Sequence, residues 1–278
     1  MDRYDIISSE LSRRLTKFYS TSFGMASTLF DTSIRSEIYS IYALVRIADE
    51  VVDSYTGPHQ KLLLEALEHD VYQAIDIGYA TNTVVHAFAR IALRFNITKE
   101  LIHPFFVSMA MDINPEKSFT QATYQTYIHG SAEVVGLMCL KVFCNADQQK
   151  YAQLAPAASH LGAAYQKINF LRDIADDYKI LGRYYFPVDS FETFSAATKT
   201  SIISDITSDF SQALPGIREL PDNARAAVYS SYRYFLALLS KLEQTPVAQL
   251  KQNRVRIANS VKLGLLVQST FRARFGRL

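Results

Sequence analysis

Apolar side chains recur every three or four residues through Ile34, Ile38, Ile41, Tyr42, Val45 and Ala48, the period of a helix with one buried face. That pattern predicts a helix over residues 34–52, ended by Gly57-Pro58. The same period predicts helices over 61–77, 83–95 and 98–111, with Asn96 closing the second and Thr98 as N-cap of the third. Residues 121–144 read as one long helix despite Gly130 and Gly136, whose missing side chains would let another backbone or a ligand come close. A helix over 148–181 follows, with Pro156 in its first turns and Gly182 as its stop. Beyond an aromatic loop, Arg183-Tyr184-Tyr185-Phe186-Pro187, further helices are expected over 191–195, 201–214, 222–242 and 247–272. No strand signal is longer than 184–188. With no βα alternation and short connectors, the class is all-α, in a single domain spanning 1–278.

Composition narrows the partners. A chain of 278 residues with 49% apolar residues and few Gly and Pro can bury a large core and carries no low-complexity tract. A net charge of +2, with basic residues concentrated only at 251–256 and at Arg272, Arg274 and Arg277, argues against nucleic acid as a partner. Cys139 and Cys144 lack the Cys/His companions of a zinc site and read as reduced core thiols. The strongest apolar run, 134–144, has 11 residues and contains Lys141, too short to span a bilayer. The N-terminus opens Met1-Asp2-Arg3-Tyr4-Asp5 without an apolar signal region. The expected location is the cytoplasm, with room for peripheral contact with a membrane surface.

Two acidic clusters of the same spacing stand out: Asp49-Glu50-Val51-Val52-Asp53 and Asp173-Ile174-Ala175-Asp176-Asp177. On an α-helix, positions i and i+4 share a face with Cβ atoms about 5–6 Å apart. Two carboxylates about 6 Å apart repel by about 0.7 kcal/mol in water and about 3 kcal/mol at an effective dielectric of 20. A bound cation removes that cost. Around the first cluster Tyr42, Arg46, Asp49 and Asp53 form one polar stripe, and around the second Gln166, Asn169, Asp173 and Asp177 do the same, with Tyr165 and Arg172 beside them. Magnesium takes hard oxygen ligands and is typically held by a few carboxylates together with substrate phosphates. Arg46 and Arg172 offer planar forks for phosphate oxygens. Either stripe alone could be a solvated helix face laced with ion pairs. Asp205-Ile206-Thr207-Ser208-Asp209 repeats the acid spacing without the Arg, Asn and Gln companions, beside a Pro215-Gly216 break, and reads as a wet surface decoy.

The chain resembles the squalene/phytoene synthase family of head-to-head prenyl transferases from about Tyr19 to Lys262. The phrases that carry the likeness are Tyr19-Ser20-Thr21-Ser22-Phe23, residues 41–53 (IYALVRIADEVVD), residues 132–138 (AEVVGLM), residues 165–177 (YQKINFLRDIADD) and residues 182–187 (GRYYFP). The resemblance implies a prenyl-synthase helical fold with a central active-site cavity, in which Mg²⁺, with Mn²⁺ as an alternative, bridges substrate diphosphates. By matching position, Asp49, Asp53, Asp173 and Asp177 would be the metal-side acids, with Asn169 a further ligand. Ser20, Ser22, Arg46, Gln166, Arg172 and Arg254 would bind diphosphate. Tyr42, Tyr127, Tyr185 and Tyr234 would stand near the reacting carbons. Three positions depart from the family pattern: Glu50 stands where many members carry Asp, Glu133 where Gly is usual, and Tyr19 where some relatives are basic or polar.

The resemblance further implies condensation of two allylic diphosphates through a cyclopropyl diphosphate. Two geranylgeranyl diphosphates giving phytoene, the first step of carotenoid biosynthesis, is the branch whose phrasing this chain is most similar to. The alternative is a squalene or dehydrosqualene synthase using two farnesyl diphosphates, with NADPH required only for squalene. A helical scaffold or assembly factor of the same fold is an alternative of another class, though such a protein should have lost acids from one cluster. Class I terpene cyclases would need a second Asn/Asp-Ser/Thr-Glu motif that the sequence lacks. Phe23, Val134, Val135, Leu137, Met138, Ile168, Phe170 and Leu171 are expected either to wall an apolar tunnel or to be plain core.

Overall fold

A computed structural model describes residues 2–114, 119–188 and 190–258, with 264 and 268, and all of these side chains except those of Thr21 and Ser22. Among the described residues every regular element is helical: α1 (Arg3–Tyr19), α2 (Thr21–Ala26), α3 (Thr32–Asp49), α4 (Gln60–Ile77), α5 (Thr83–Phe95), α6 (Lys99–Ile113), α7 (Gln121–Ile128), α8 (Val134–Phe143), α9 (Gln148–Leu181), α10 (Ala196–Glu219), α11 (Asp222–Gln244) and α12 (Val247–Leu250), with a short 3-10 turn at Ser27–Leu29.

The predicted helices from 34 to 181 are all present, within a few residues of their expected bounds. Asn96 closes α5 and Gly182 closes α9, both left-handed, at φ 53° and 66°. Two of these helices contain wide π turns. Glu50–Ser54 continues α3, and His129–Glu133 joins α7 to α8. The second turn is squeezed between neighbours: a Cβ on Gly130 would stand 2.1 Å from the Pro104 carbonyl oxygen of α6. This is the close backbone approach expected at Gly130.

Three expectations are corrected. The predicted break at Pro215-Gly216 lies inside α10, which runs on to Glu219. Pro215 takes the hydrogen-bond donor away from the carbonyl of Ser211, an exposed residue that water can serve. Gly216 is a contact with α9, since a Cβ there would stand 2.3 Å from Ala157 Cβ. Residues 191–193 form a turn in place of the helix expected over 191–195. In the last predicted helix Val247–Leu250 is helical, residues 251–258 are not, Gly264 and Gln268 are again helical, and the rest lies outside the described residues.

The core is one contiguous cluster drawn from every long helix except α1, which adds only the partly buried Leu15. α9 runs through its middle and packs against α8, α10, α11 and the His129–Glu133 turn. Ile168, Leu171, Val134 and Met138 are fully buried here, so they are core and border no opening; Phe23, Val135 and Leu137 keep some exposure. Cys139 and Cys144 are both free thiols, and burial pushes them up to about 12 and about 11.

Candidate active site

The first acidic stripe rides on the last turns of α3. Tyr42 stacks on Phe23 with ring centroids 4.9 Å apart and a 12° interplanar angle, and Ser20 lies near its hydroxyl. Ser20 also caps α2, accepting from the Phe23 N–H at 3.1 Å. Arg46 pairs with Glu50, approaches Asp49 at 3.8 Å, and lies over the Tyr19 ring at 4.3 Å. Glu50 is thus taken by Arg46, and Tyr19 supports the same guanidinium from below. The Nε of Arg46 is buried without a hydrogen-bond partner among the described residues, a donor held ready for an acceptor. Burial, and then the neighbouring charge of Asp53, push the Asp49 carboxyl up to about 7 against the pull of Arg46.

The second stripe lies along α9. Arg172 grips Asp173 with both arms, at 2.9 and 2.5 Å, and Arg254 reaches the same carboxylate at 2.8 Å. Tyr234 lies close enough to Arg172 to act on its charge. Gln166 and Asn169 are half-buried two turns and one turn before Asp173. Asp177 is pushed up to about 7, by burial first and by Asp173 second, with Asp53 from the opposite stripe adding to the effect. The backbone N–H of Arg183 donates to the Asp177 carbonyl at 2.9 Å while its side chain bonds Asp53 at 2.8 Å, which brings the ends of the two stripes together.

Arg183 joins them. It follows the left-handed Gly182, is almost fully buried, and places Nη1 2.8 Å from Asp53 and 3.5 Å from Asp112. Its Nη2 donates to the Asp112 carbonyl at 2.8 Å. Asp112, near the end of α6, accepts from the hydroxyls of Tyr127 at 2.6 Å and Tyr185 at 3.1 Å. Burial pushes this carboxyl up to about 6 although Arg183 holds it down. Both tyrosines are driven well above the ordinary phenol range, chiefly by burial and next by Asp112. Their rings stand 5.0 Å apart, and Tyr185 stacks on Phe170 at 4.2 Å.

Of the residues singled out in the sequence, Ser20, Tyr42, Arg46, Asp49 and Asp53 stand together on one side; Arg172, Asp173, Asp177, Tyr234 and Arg254 stand on the other. Tyr127 and Tyr185 are hydrogen-bonded to Asp112, which Arg183 links to Asp53. The side chain of Ser22 lies outside the described residues. Glu133 bonds the exposed His129 at 2.9 Å. Asp112 and Arg183 were missed as functional residues. Asp112 could have been found: it continues the buried stripe Ile102, Phe105, Met109 at the next helical step, where an acid is out of place.

The donor set suits a hard divalent ion. Asp49 and Asp177 carry like charge that is only partly offset by arginine, Asp53 adds carboxylate oxygens near them, and Asn169 stands two turns before Asp177 on the same helix. Among the described residues no three His, Cys, Asp or Glu side chains converge on one point. Each ion would therefore complete its shell with water and substrate phosphate. Two surface hollows, of about 410 and 330 Å³, lie elsewhere, one lined by α4–α6 and the other by α1 and α3.

Residues 16–260 match the family described as Squalene/phytoene synthase. The chain belongs to the squalene/phytoene synthase family. Members of this family are prenyltransferases. A phytoene synthase of Arthrospira platensis is 30% identical over 201 residues, covering 68% of this chain and 63% of its own length, so the chain spans under two thirds of that relative. A 15-cis-phytoene synthase of Pantoea ananas is 26% identical over 285 residues, covering 93% of this chain and 90% of its own. The solved structure of a dehydrosqualene synthase superposes with a TM-score of 0.82 at 19% identity, covering 98% of both chains, which establishes the shared all-α isoprenoid-synthase fold.

Proposed function

We propose that this chain joins two geranylgeranyl diphosphates head to head, giving phytoene through a cyclopropyl diphosphate. The observation that carries the reading is the meeting of the two acidic stripes at Arg183, whose guanidinium bonds Asp53 at 2.8 Å and whose backbone N–H donates to the Asp177 carbonyl at 2.9 Å. Mg²⁺ held by Asp49, Asp53, Asp177 and Asn169, with Asp173 joining once its arginines turn to phosphate, would supply the positive charge that stabilises the departing diphosphate. The spare Nε of Arg46 would take a phosphate oxygen, and the guanidiniums of Arg172 and Arg254 would bind phosphate oxygens in place of the carboxylate they now hold. The stacked Phe23 and Tyr42 rings present an apolar, electron-rich surface beside these groups, suited to an allylic cation. Phe170, Tyr185 and Tyr127 close the space behind the acids against water, which would otherwise quench the cation.

The geranylgeranyl chain length rests on the phytoene synthases of Arthrospira and Pantoea, whose identities are low, and on the phrasing around Gln166 and Asn169. Among the described residues no helix is long and apolar enough to cross a membrane. A polyene product must nevertheless reach lipid, so the reading includes peripheral contact with a membrane surface. Mass analysis of the product from each diphosphate with Mg²⁺, with and without NADPH, tests the assignment. A C40 hydrocarbon without NADPH is expected. A C30 product from farnesyl diphosphate would replace phytoene by squalene or its dehydro analogue, and no product from either would return the chain to the scaffold reading.

A further inference from the structure

The first helix is turned inside out relative to an ordinary surface helix. Its buried face is made of Ser8, Ser12 and Thr16, all fully buried. Two of these small polar residues satisfy themselves locally, Ser12 Oγ donating to the Ser8 carbonyl at 2.9 Å and Thr16 Oγ1 to the Ser12 carbonyl at 2.9 Å, while the Ser8 hydroxyl is buried without a partner among the described residues. They let α1 lie close on α3 and α5. The outer face carries the large apolar groups: Ile7 is 46% exposed, Leu11 39% and Phe18 83%, with Ile6 at 57% beside them. Spacings of four and seven put Ile7, Leu11 and Phe18 on one stripe. Arg3, Arg14 and Lys17 are exposed along the same side, Arg14 with its Nε 2.9 Å from Glu10 and Arg3 and Lys17 in no ion pair among the described residues. Tyr79, half exposed and stacked on Tyr4 at 5.1 Å, extends the apolar surface at the N-terminal end.

We infer that the outer face of α1 is the surface by which the protein docks on an anionic lipid bilayer, with Ile7, Leu11 and Phe18 entering the headgroup region and Arg3, Arg14 and Lys17 meeting its negative charge. Large apolar residues flanked by cations are what an interfacial helix needs. The charges of Arg3 and Lys17, in no ion pair among the described residues, complement an anionic surface on either side of the apolar stripe. The helix also ends at the candidate site: Tyr19, adjacent to Phe18, carries the Arg46 guanidinium on its ring. Docking would bring that rim to the bilayer, which deepens the membrane contact proposed above and rests on it.

The chain has no tryptophan, so Phe18→Trp gives a single reporter on this face. With vesicles of about one third phosphatidylglycerol in phosphatidylcholine, its emission is expected to shift to the blue and to be quenched by brominated acyl chains. At roughly fivefold per basic residue near an anionic surface, flotation with these vesicles should exceed that with neutral phosphatidylcholine by at least about tenfold. A triple variant, Ile7→Glu, Leu11→Glu and Phe18→Glu, should lose flotation by at least about tenfold while keeping its helical circular dichroism and its turnover of detergent-dispersed substrate. Wild-type protein that stays unbound, or a triple variant that floats as well as wild type, overturns the inference. So does a wild-type dimer that the triple variant converts to monomer, which would make the face a contact between copies. Flotation needs no turnover, so protein that docks but yields no product leaves this surface standing while the reaction reading falls.

Discussion

The pair Asp205 and Asp209 has the same spacing as the acidic pairs of the site, yet the surroundings treat the charges in opposite ways. Lys167 of α9 reaches Asp205 at 2.5 Å and Asp209 at 2.7 Å, and His160 bonds Asp209 at 2.9 Å. Asp209 is buried, so the expected wet surface is only half of that pair, but its charge is met on the spot. Across α9, Asp49 and Asp177 are crowded by other acids and stay near 7 in spite of the arginines around them. Acid spacing alone therefore decides little. What marks a site is negative charge that the protein itself leaves partly unbalanced.

That contrast can be broken from both sides. Replacing Arg183 by Met would strand Asp53 and the buried Asp112 without their shared partner, at about 3–5 kcal/mol of stability; urea denaturation would register the loss, and an unchanged midpoint would show that the guanidinium holds nothing together. Asp177→Asn should leave stability intact or raised while lowering kcat by about 10²–10³-fold, the usual scale for one electrostatic group at a reaction centre. Steady-state kinetics at saturating Mg²⁺ check it. In the other cluster Lys167→Met should reverse the pattern, costing about 2–3 kcal/mol of stability through the stranded Asp209 with kcat within about threefold of wild type. A large loss of turnover there would erase the distinction between the clusters.

The pH dependence separates them more finely. Asp49 and Asp177 sit near 7 in the folded chain, against about 4 when unfolded. Between those values the folded form binds more protons than the unfolded form, so stability in chelator falls as pH rises from about 4 to about 7 and is level above that. Thermal melts with EDTA and with Mg²⁺ should show the fall and its reduction by the ion, since a cation favours the ionised acids. The smallest effect belongs to Asp205→Asn, which removes an exposed partner of Lys167 and should change stability by no more than about 1 kcal/mol.

Much of this was legible beforehand because the helices from α3 to α9 bury large apolar residues at a regular period, and because the two stripes interrupt that period with Asp, Arg, Asn and Gln. α1 left no such trace: with Ser8, Ser12 and Thr16 inside and Ile7, Leu11 and Phe18 outside, its pattern inverts the rule used to read the rest. Pro215-Gly216 misled for a related reason. A proline carbonyl gap facing water and a glycine pressed on Ala157 look in sequence like a stop signal. Asp112 and Arg183 were hidden because their roles arise only when α6, the α3 terminus and the loop after Gly182 converge from far apart in the chain.

The π turn at Glu50–Ser54 gives Asp53 an address separate from that of Asp49. A turn that closes on the fifth residue, not the fourth, shifts everything after it out of phase with the helix before it. Ile38, Ile41 and Leu44 can keep their seats while the distal acid is re-aimed by inserting or removing a single peptide unit. Evolution, or an engineer, can therefore retune the span between the two carboxylates without rebuilding the interior of the protein.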